Sequence, residues 1–330
     1  MINPVNSNPA DRALAWSNYW RHGALHSLPT SYRGNYEGEI RHFWAGVLAE
    51  THAGQKLLDI GTGNGALPLL TWELRSTRSP AMDAVDIADV APAWLSDLPS
   101  EQQNRIRFHA STRAEHLPFA DACFDLVCSQ YGFEYTDTAA ASMEAARVLR
   151  PGGTLALVMH HSDSQLAAVA AAETSATETL CAPGGLLESA EAMAPWMGMA
   201  GRGELADLNA SPQATSDRQR FNSLAQALAT QAATEGGLLA ESLQWVFGLL
   251  RALQQGQIDT AEAAMHLSNY ADQLRQAQLR SEELCLHALD DARMGQLQKS
   301  LESSGFSRVE TGLVHHDRLL MGWTLRATRA

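Results

Sequence analysis

The chain has 330 residues, of which 45% are hydrophobic and 18% are charged. This balance is typical of a folded globular protein and excludes a chain that is mostly disordered. Lysine and arginine number 24 against 37 aspartate and glutamate, which gives a formal net charge of −13. Nucleic acids and anionic membrane surfaces attract basic faces, so we expect neither as a partner.

The sequence also lacks the marks of membrane insertion, secretion and metal binding. Its apolar runs fall far short of the roughly 20 residues that a membrane-spanning helix needs. The N-terminus has neither the basic start nor the apolar core of a secretory signal. The four cysteines form no CxxC pair and no metal-ligand spacing with histidine. We therefore expect a cytoplasmic protein that holds no metal and no disulfide framework.

Apolar strand patterns alternate with helical patterns through the first half of the sequence. Helical patterns cover residues 66–75 and 139–149, and the second of them ends at a Pro-Gly-Gly turn. Strands that alternate with helices predict βαβ units, and hence a parallel sheet with right-handed crossovers. The predicted strands are residues 56–60, 82–86, 105–109, 124–129 and 154–160.

Strand patterns stop near residue 162 and return only at residues 307–314 and 318–328. Between them, apolar residues from Leu239 to Leu253 recur every three or four positions, which predicts one apolar helix face. Residues 222–231 and 260–288 are also predicted to be helical.

Glycine and proline are frequent between residues 181 and 211, and this composition predicts a long mobile loop. The order of the patterns predicts a helical block inserted into a sheet domain. Its apolar stripes need a partner face, so we expect the block either to cover a ligand pocket or to form a homodimer interface. The predicted parts are an N-terminal helical lid at 1–45, a ligand-binding core at 46–161, the inserted helical cap at 162–291, and a last helix and strands at 292–330 that complete the sheet.

A glycine-rich loop follows the first predicted strand. Glycine lets backbone N–H groups approach a ligand with no Cβ in the way. Gly61, Gly63 and Ala66 fit the dinucleotide spacing G-x-G-x-x-A, with Asp86 20 residues beyond Ala66. Against a dinucleotide, Asp59 stands two residues before the first glycine, where an acid suits a cofactor that carries an ammonium group and no pyrophosphate. A tight turn without a ligand is the third interpretation of the loop.

Four blocks occur in order: LLDIGTGNGALPLL, MDAVDIAD, AEHLPFADACFDLVCSQYGFEY and ARVLRPGGTLALVMHH. Together they resemble the small-molecule branch of the class I S-adenosylmethionine-dependent methyltransferases, closely over residues 57–160 and loosely over 305–328. The resemblance implies an α/β fold with a Rossmann-like, seven-stranded, mostly parallel sheet into which the helical cap is inserted. It also implies S-adenosyl-L-methionine as cofactor and S-adenosyl-L-homocysteine as product.

The function that follows is transfer of a methyl group to an oxygen or nitrogen of a small-molecule acceptor. The chain is acidic and an inserted cap would enclose a compact acceptor, which favours a small molecule. One alternative is a methyltransferase that acts on RNA or protein. Another is a regulatory protein that binds the cofactor without catalysis.

The resemblance carries cofactor roles onto particular residues of this sequence. Asp86 would bond both ribose hydroxyls, because a carboxylate accepts two hydrogen bonds at once. Ile87 would pack on the adenine, and Gln130 and Tyr131 would lie near the sulfonium. The methionine part would be held by Asp59, Gly61, Thr62, Gly63 and Gly65.

One position departs from the pattern of this branch. An aspartate that takes the adenine amino group often precedes the Ala-Glu of the AEHLPF block, and here Arg113 stands in its place. Arginine only donates hydrogen bonds, so the Ala114 backbone or the Thr112 hydroxyl would have to recognise adenine.

Candidate catalytic groups lie where the fourth and fifth predicted strands end. A hydroxyl acceptor benefits from a general base, whereas an amine acceptor can lose its proton to solvent. His160 and His161 close the fifth strand, and strand alternation sends them in opposite directions, so at most one should reach the site. Glu134 is a further candidate acid or base.

The N-terminal segment is rich in aromatic residues. Trp16 and Trp20 lie four residues apart, which fits either one apolar helix face or a lid over the cofactor. Tyr19, Trp20 and Arg33 are the candidate lid contacts.

Overall fold

The computed structural model describes residues 9–27 and 34–330, and a seven-stranded sheet lies at its centre. Neighbouring strands follow the order β3-β2-β1-β4-β5-β7-β6. The strands are β1 Lys56–Ile60, β2 Ala81–Val85, β3 Ile106–His109, β4 Phe124–Gln130, β5 Leu149–Met159, β6 Phe306–His316 and β7 Leu319–Arg329.

Strands β1 to β5 pair in parallel, whereas β7 runs antiparallel to both β5 and β6. The predicted seven-stranded, mostly parallel α/β sheet is therefore confirmed. In β1, four of five residues are buried, including both faces of the strand. A continuous apolar run such as KLLDI suits this position, because a parallel strand is covered by helices on both sides.

Hydrophobic clusters line the two faces of the sheet. One contains Phe124, Phe133 and Leu301, and the other contains Ile40 and Trp44. The helices that cover the sheet are α1 Pro9–Arg21, α2 Gly38–Ala49, α3 Ala66–Arg75, α4 Ser100–Gln103, α5 Thr138–Val148 and α12 Asp291–Ser303.

Contacts divide the chain into two compact units, Met1–Ala168 with Glu283–Ala330, and Val169–Glu282. The second unit is helical and has its own hydrophobic cluster, which includes Leu180, Leu186 and Val246. This unit is shorter than the insert predicted at 162–291, because the first turns of one helix and the last turn of another contact the sheet unit. Its helices are α6 Gln165–Cys181, α7 Leu186–Gly201, α8 Leu205–Ala210, α9 Pro212–Glu235, α10 Gly237–Gln254 and α11 Thr260–His287.

The mobile loop predicted between residues 181 and 211 is wrong. Most of this stretch forms α7 and α8, and Pro195 lies inside α7. The glycines serve helix packing: a Cβ on Gly201 would collide with the carbonyl oxygen of Gln254, and one on Gly198 would lie 3.1 Å from Oγ1 of Thr260. Small residues let helices approach closely, a use that composition alone does not distinguish from a loop.

Within residues 9–27 and 34–330, no helix combines the length and apolar character that crossing a membrane requires. The same residues contain no group of three or more histidine, cysteine or acidic side chains placed to hold a metal ion. All four cysteines are free thiols.

Candidate functional site

The glycine-rich loop joins the end of β1 to the start of α3. Gly61, Gly63 and Gly65 have positive φ angles of 66°, 53° and 77°. A Cβ on Gly61 would lie 2.8 Å from Cα of Gly132, which follows β4. Only glycine permits this approach of the two strand ends, so the loop turns tightly between them.

Asp86 follows β2 and is bonded to the glycine-rich loop. Its Oδ2 accepts a hydrogen bond of 2.7 Å from the amide of Gly63, and its Oδ1 accepts one of 2.8 Å from the amide of Ala88. Burial raises the pKa of the Asp86 carboxyl, and the two backbone hydrogen bonds oppose this rise. The carboxylate thus holds the loop against the end of β2.

Asp59 lies within β1 and is only 1% exposed. Burial raises the pKa of its carboxyl to about 7, and the nearby charge of Asp86 acts in the same direction. The thiol of Cys128 lies 3.8 Å from its Oδ1. A buried acid with a pKa near neutrality responds strongly to any positive charge brought beside it.

A pocket opens beside the carboxyl ends of β1, β2 and β4. It contains about 990 Å³ of atom-free space including its open mouth. Ten of the residues predicted to hold the cofactor or form the lid line it: Trp20, Gly61, Thr62, Asp86, Ile87, Thr112, Arg113, Ala114, Gln130 and Tyr131.

Other predicted residues do not line this pocket. Asp59, Gly63 and Gly65 are not among the lining residues, and the ring of Tyr19 packs against those of Trp16 and Trp20. The three predicted catalytic side chains, Glu134, His160 and His161, are also absent from the wall. Arg33 lies outside the described residues.

The wall near Arg113 holds an acid that sequence reasoning missed. Nε of Arg113 lies 3.4 Å from Oε2 of Glu115, and Glu115 lines the pocket. The Thr112 hydroxyl donates to the carbonyl oxygen of Ala110 at 3.2 Å, so its proton is already used. Glu115 stands directly after Ala114 in the AEHLPF block, and this adjacency was the available signal.

Gln130, at the end of β4, presents an unsatisfied donor. Its Oε1 accepts a 2.6 Å hydrogen bond from Nε1 of Trp44, while its buried Nε2 has no hydrogen-bond partner among the described residues. Since buried amide donors are normally paired, this group suits a polar ligand in the pocket that Gln130 lines.

His160 and Glu134 form a buried pair behind the pocket. Nδ1 of His160 lies 2.8 Å from Oε1 of Glu134, which also accepts the His160 amide at 2.8 Å. The ring of Tyr131, which lines the pocket, stacks on the His160 imidazole with centroids 4.1 Å apart. His161 instead stacks on Trp323 at 4.8 Å, so the two histidines do diverge as strand alternation requires.

Helix α1 is bonded to the pocket rim at several points. Nδ2 of Asn64 donates to the carbonyl oxygens of Trp20 and Ala24 at 2.7 and 2.8 Å. A Cβ on Gly63 would lie 2.5 Å from Cζ2 of Trp20, so this indole lies directly on the glycine-rich loop. The backbone amide of Asp89 donates a hydrogen bond of 2.9 Å to the Ser17 hydroxyl oxygen.

Arg12 bonds the other end of α1. Its Nη1 donates to the carbonyl oxygen of Tyr135 at 3.0 Å, and its Nη2 donates to Oε1 of Glu283 at 3.2 Å. Arg12 also lines the pocket. No sequence pattern could have revealed this contact, because Arg12 and Glu283 are 271 residues apart. The remaining lining residues are Trp16, Leu25, His26, Ser27, Tyr36, Ile60, Ala66, Val85, Gly132, Tyr135 and Thr136.

Known proteins are similar in sequence to about a third of this chain. Residues 58–157 match the family model of a methyltransferase domain. A demethylmenaquinone methyltransferase from Deinococcus radiodurans is 35% identical over 119 residues, which cover 34% of this chain and 46% of that protein. An uncharacterized methyltransferase of Bacillus subtilis, YcgJ, is 33% identical over 116 residues, which cover 34% of this chain and 44% of YcgJ.

The solved structure of YcgJ aligns over 87% of this chain and 98% of its own, with 16% identity and a TM-score of 0.36. In sequence, the chain spans less than half of the length of the two relatives named above.

Proposed function

We propose that this protein is a class I S-adenosylmethionine-dependent methyltransferase that methylates a small-molecule acceptor, and the match of residues 58–157 to the family model of a methyltransferase domain supports this proposal. The observation that carries this proposal is the pocket at the carboxyl ends of β1, β2 and β4, bounded by the glycine-rich loop. In open α/β sheets this edge is the usual ligand site.

The residues present fit S-adenosylmethionine. Asp86 and Glu115 offer carboxylate acceptors on the wall for hydroxyl and amino groups, and Gln130 offers a buried donor. Gly61 and Gly132 lie close together and have no side chains, so backbone atoms form this part of the pocket. Bound there, the cofactor supplies a methyl group whose transfer leaves S-adenosylhomocysteine and releases one proton from the acceptor.

The protein's own contribution is alignment and exclusion of water. Helix α1 lies on the loop through Trp20 and is fixed by Asn64 and Arg12. Fixed walls hold two reactants in line and lower the entropic cost of reaction. We propose that His160 and Glu134 position Tyr131, because neither of these two side chains lines the pocket.

Three observations favour a small molecule over RNA or protein. The net charge of −13 opposes a polynucleotide. The pocket wall is rich in aromatic side chains, including Trp16, Tyr36 and Tyr131, which suit a compact organic acceptor. The Deinococcus radiodurans relative, by its name, methylates demethylmenaquinone, which is also a small molecule.

The test begins with calorimetric titration of S-adenosylmethionine, S-adenosylhomocysteine and NAD. We expect the first two to bind and NAD to give no heat of binding. Asp86→Ala should weaken cofactor binding by about 1.5–3 kcal/mol, the scale of hydrogen bonds to charged groups. Asp89→Ala, an exposed acid three residues along, is the matched control.

Methyl-labelled cofactor then distinguishes the acceptor classes. The protein is incubated with separate metabolite, RNA and protein fractions of a cell extract. We expect label in the metabolite fraction. Label in RNA or protein would contradict the small-molecule proposal, and cofactor binding with no transfer to any fraction would favour a regulatory protein.

A further inference from the structure

We infer that the acceptor is a neutral, planar aromatic molecule that binds to the rings of Trp16, Tyr36, Tyr131 and Tyr135, here called the aromatic wall. This inference rests on the proposed function, since it concerns the acceptor's side of the pocket, and of the four rings only Tyr131 is also assigned to the cofactor, near its sulfonium. All four side chains line the pocket.

Each ring of the aromatic wall is held by a neighbour. Tyr131 stacks on the His160 imidazole at 4.1 Å, and Tyr36 stacks on His26 at 5.1 Å. The ring of Trp16 contacts that of Tyr135 edge to face, with centroids 6.2 Å apart, and it stacks on the ring of Trp20 at 5.7 Å. Rings fixed by neighbours lose little freedom when a flat ligand packs against them, so they are prepared for aromatic contacts.

Charges on the pocket wall are already compensated. Arg12 is paired with Glu283, Arg113 lies beside Glu115, and Asp86 accepts two backbone amides. An anionic acceptor would compete with Glu283 for Arg12. A cationic acceptor would face both the Arg12 guanidinium and the cofactor sulfonium.

The Tyr135 phenol also remains neutral. Burial raises the pKa of the Tyr135 hydroxyl well above its usual range, and the nearby carboxylates of Glu134 and Glu283 add to this effect. The Tyr131 hydroxyl donates to the carbonyl oxygen of Met321 at 3.2 Å. A neutral aromatic acceptor therefore disturbs no ion pair and meets uncharged rings, which is the least costly combination for this wall.

Three probes test the inference on the full-length protein saturated with S-adenosylhomocysteine: 2-naphthol, 2-naphthoate and choline. They share either the flat ring or the small size but differ in charge. We expect calorimetry to detect binding of 2-naphthol, with the other two weaker by about tenfold or more. 2-Naphthoate would have to compete with Glu283 for Arg12, and choline would lie near the Arg12 guanidinium without a flat ring to pack on the aromatic wall. Equal or tighter binding of naphthoate or choline would overturn the inference.

Variants then locate the site. Trp16→Ala should weaken 2-naphthol binding about tenfold, because a large aromatic face is lost, whereas Trp16→Phe should largely keep it. Trp245→Ala, which removes a ring stacked on Tyr270 in the second unit, is the matched control and should have no effect. An affinity for 2-naphthol that Trp16→Ala leaves unchanged would also overturn the inference.

The two proposals fail differently. If S-adenosylhomocysteine itself does not bind, the proposed function fails, and the acceptor inference fails with it. If it binds and 2-naphthol does not, only the acceptor inference is wrong. The ranking of the three probes uses the unmodified protein, so it remains decisive even where a Trp16 variant does not fold.

Discussion

Nδ1 of His160 lies 2.8 Å from Oε1 of Glu134, and the same oxygen accepts the His160 backbone amide at the same distance. Both side chains are almost fully shielded from solvent, at 2% and 0% exposed. The carboxylate thus fixes the imidazole and the end of β5 together. The backbone of Tyr131 is in the left-handed region, with a φ of 55°, and its ring stacks on the His160 imidazole. The fixed imidazole therefore also fixes the Tyr131 ring that lines the pocket.

Variants at Glu134 separate a positioning role from a chemical one. Glu134→Ala leaves a buried N–H and an imidazole without their acceptor, so we expect the free energy of unfolding to fall by about 1–3 kcal/mol. Glu134→Gln keeps an oxygen that can accept both bonds and should keep most of the stability and kcat. Urea unfolding and steady-state kinetics measure the two effects. A Gln variant that folds normally but loses its activity would assign the acid to the chemistry.

The fold was largely predictable because its signals are local. Continuous apolar runs marked five strands that each overlap the observed ones, and glycine spacing marked the loop after β1. Residues 58–157, which lie within the part of the chain that carries the resemblance, match the family model of a methyltransferase domain.

The catalytic part of the site could not be predicted in this way. The ends of strands indicate an edge of the sheet, but which side chain reaches the pocket depends on tertiary packing. His160 is bonded to Glu134 and does not line the pocket, whereas Arg12 and Trp16 of α1 do. A contact between two residues that are hundreds of positions apart in the sequence produces no periodic pattern from which it could be predicted.

Asn64 should control how fast the cofactor leaves. Its amide donates to two carbonyl oxygens at the end of α1, so removing those donors frees this end of the helix. We expect Asn64→Asp, which keeps the shape but loses the donors, to raise the dissociation rate of S-adenosylhomocysteine severalfold. Stopped-flow tryptophan fluorescence measures this rate, and Asn222→Ala on an exposed face of α9 is the control. An unchanged rate would show that the two bonds do not limit opening.

Asp59 predicts a dependence of stability on pH. The pKa of its carboxyl is about 7 in the folded chain against an ordinary value of 3.8. Between these values the folded state holds a proton that the unfolded state has lost, so the free energy of unfolding decreases as pH rises. The contribution is at most about 1.4 kcal/mol per pH unit and levels off above the folded-state pKa.

Urea unfolding across this pH range should therefore show a shallower dependence for Asp59→Asn than for the natural chain. The comparison removes the titration of all other groups, which both proteins share. Identical slopes for the two would indicate that Asp59 stays ionised in the folded state.

The second unit should be dispensable for cofactor binding. The thiol of Cys285 lies 3.7 Å from the carbonyl oxygen of Ala167, so the chain leaves and re-enters the sheet unit at neighbouring points. All pocket-lining residues lie in the sheet unit. Replacing Val169–Glu282 with a short Gly/Ser linker should leave the affinity for S-adenosylhomocysteine unchanged by calorimetry.

Methyl transfer by the shortened chain then reports on the role of the helices. Loss of transfer with retained cofactor affinity would tie them to the acceptor, and retained transfer would point to assembly. A folded core that no longer binds S-adenosylhomocysteine would contradict the prediction.

The position of β7 between β5 and β6 also bears on synthesis at the ribosome. Strand β5 ends at Met159 and its partner β7 begins at Leu319, so about 160 residues must be translated before that edge is paired. At roughly 5–20 residues per second, the nascent five-stranded sheet waits on the order of 8–30 s with an open edge. An unpaired strand edge invites pairing with another chain. We expect this interval, and not the finished protein, to be the stage at which chaperones are most needed.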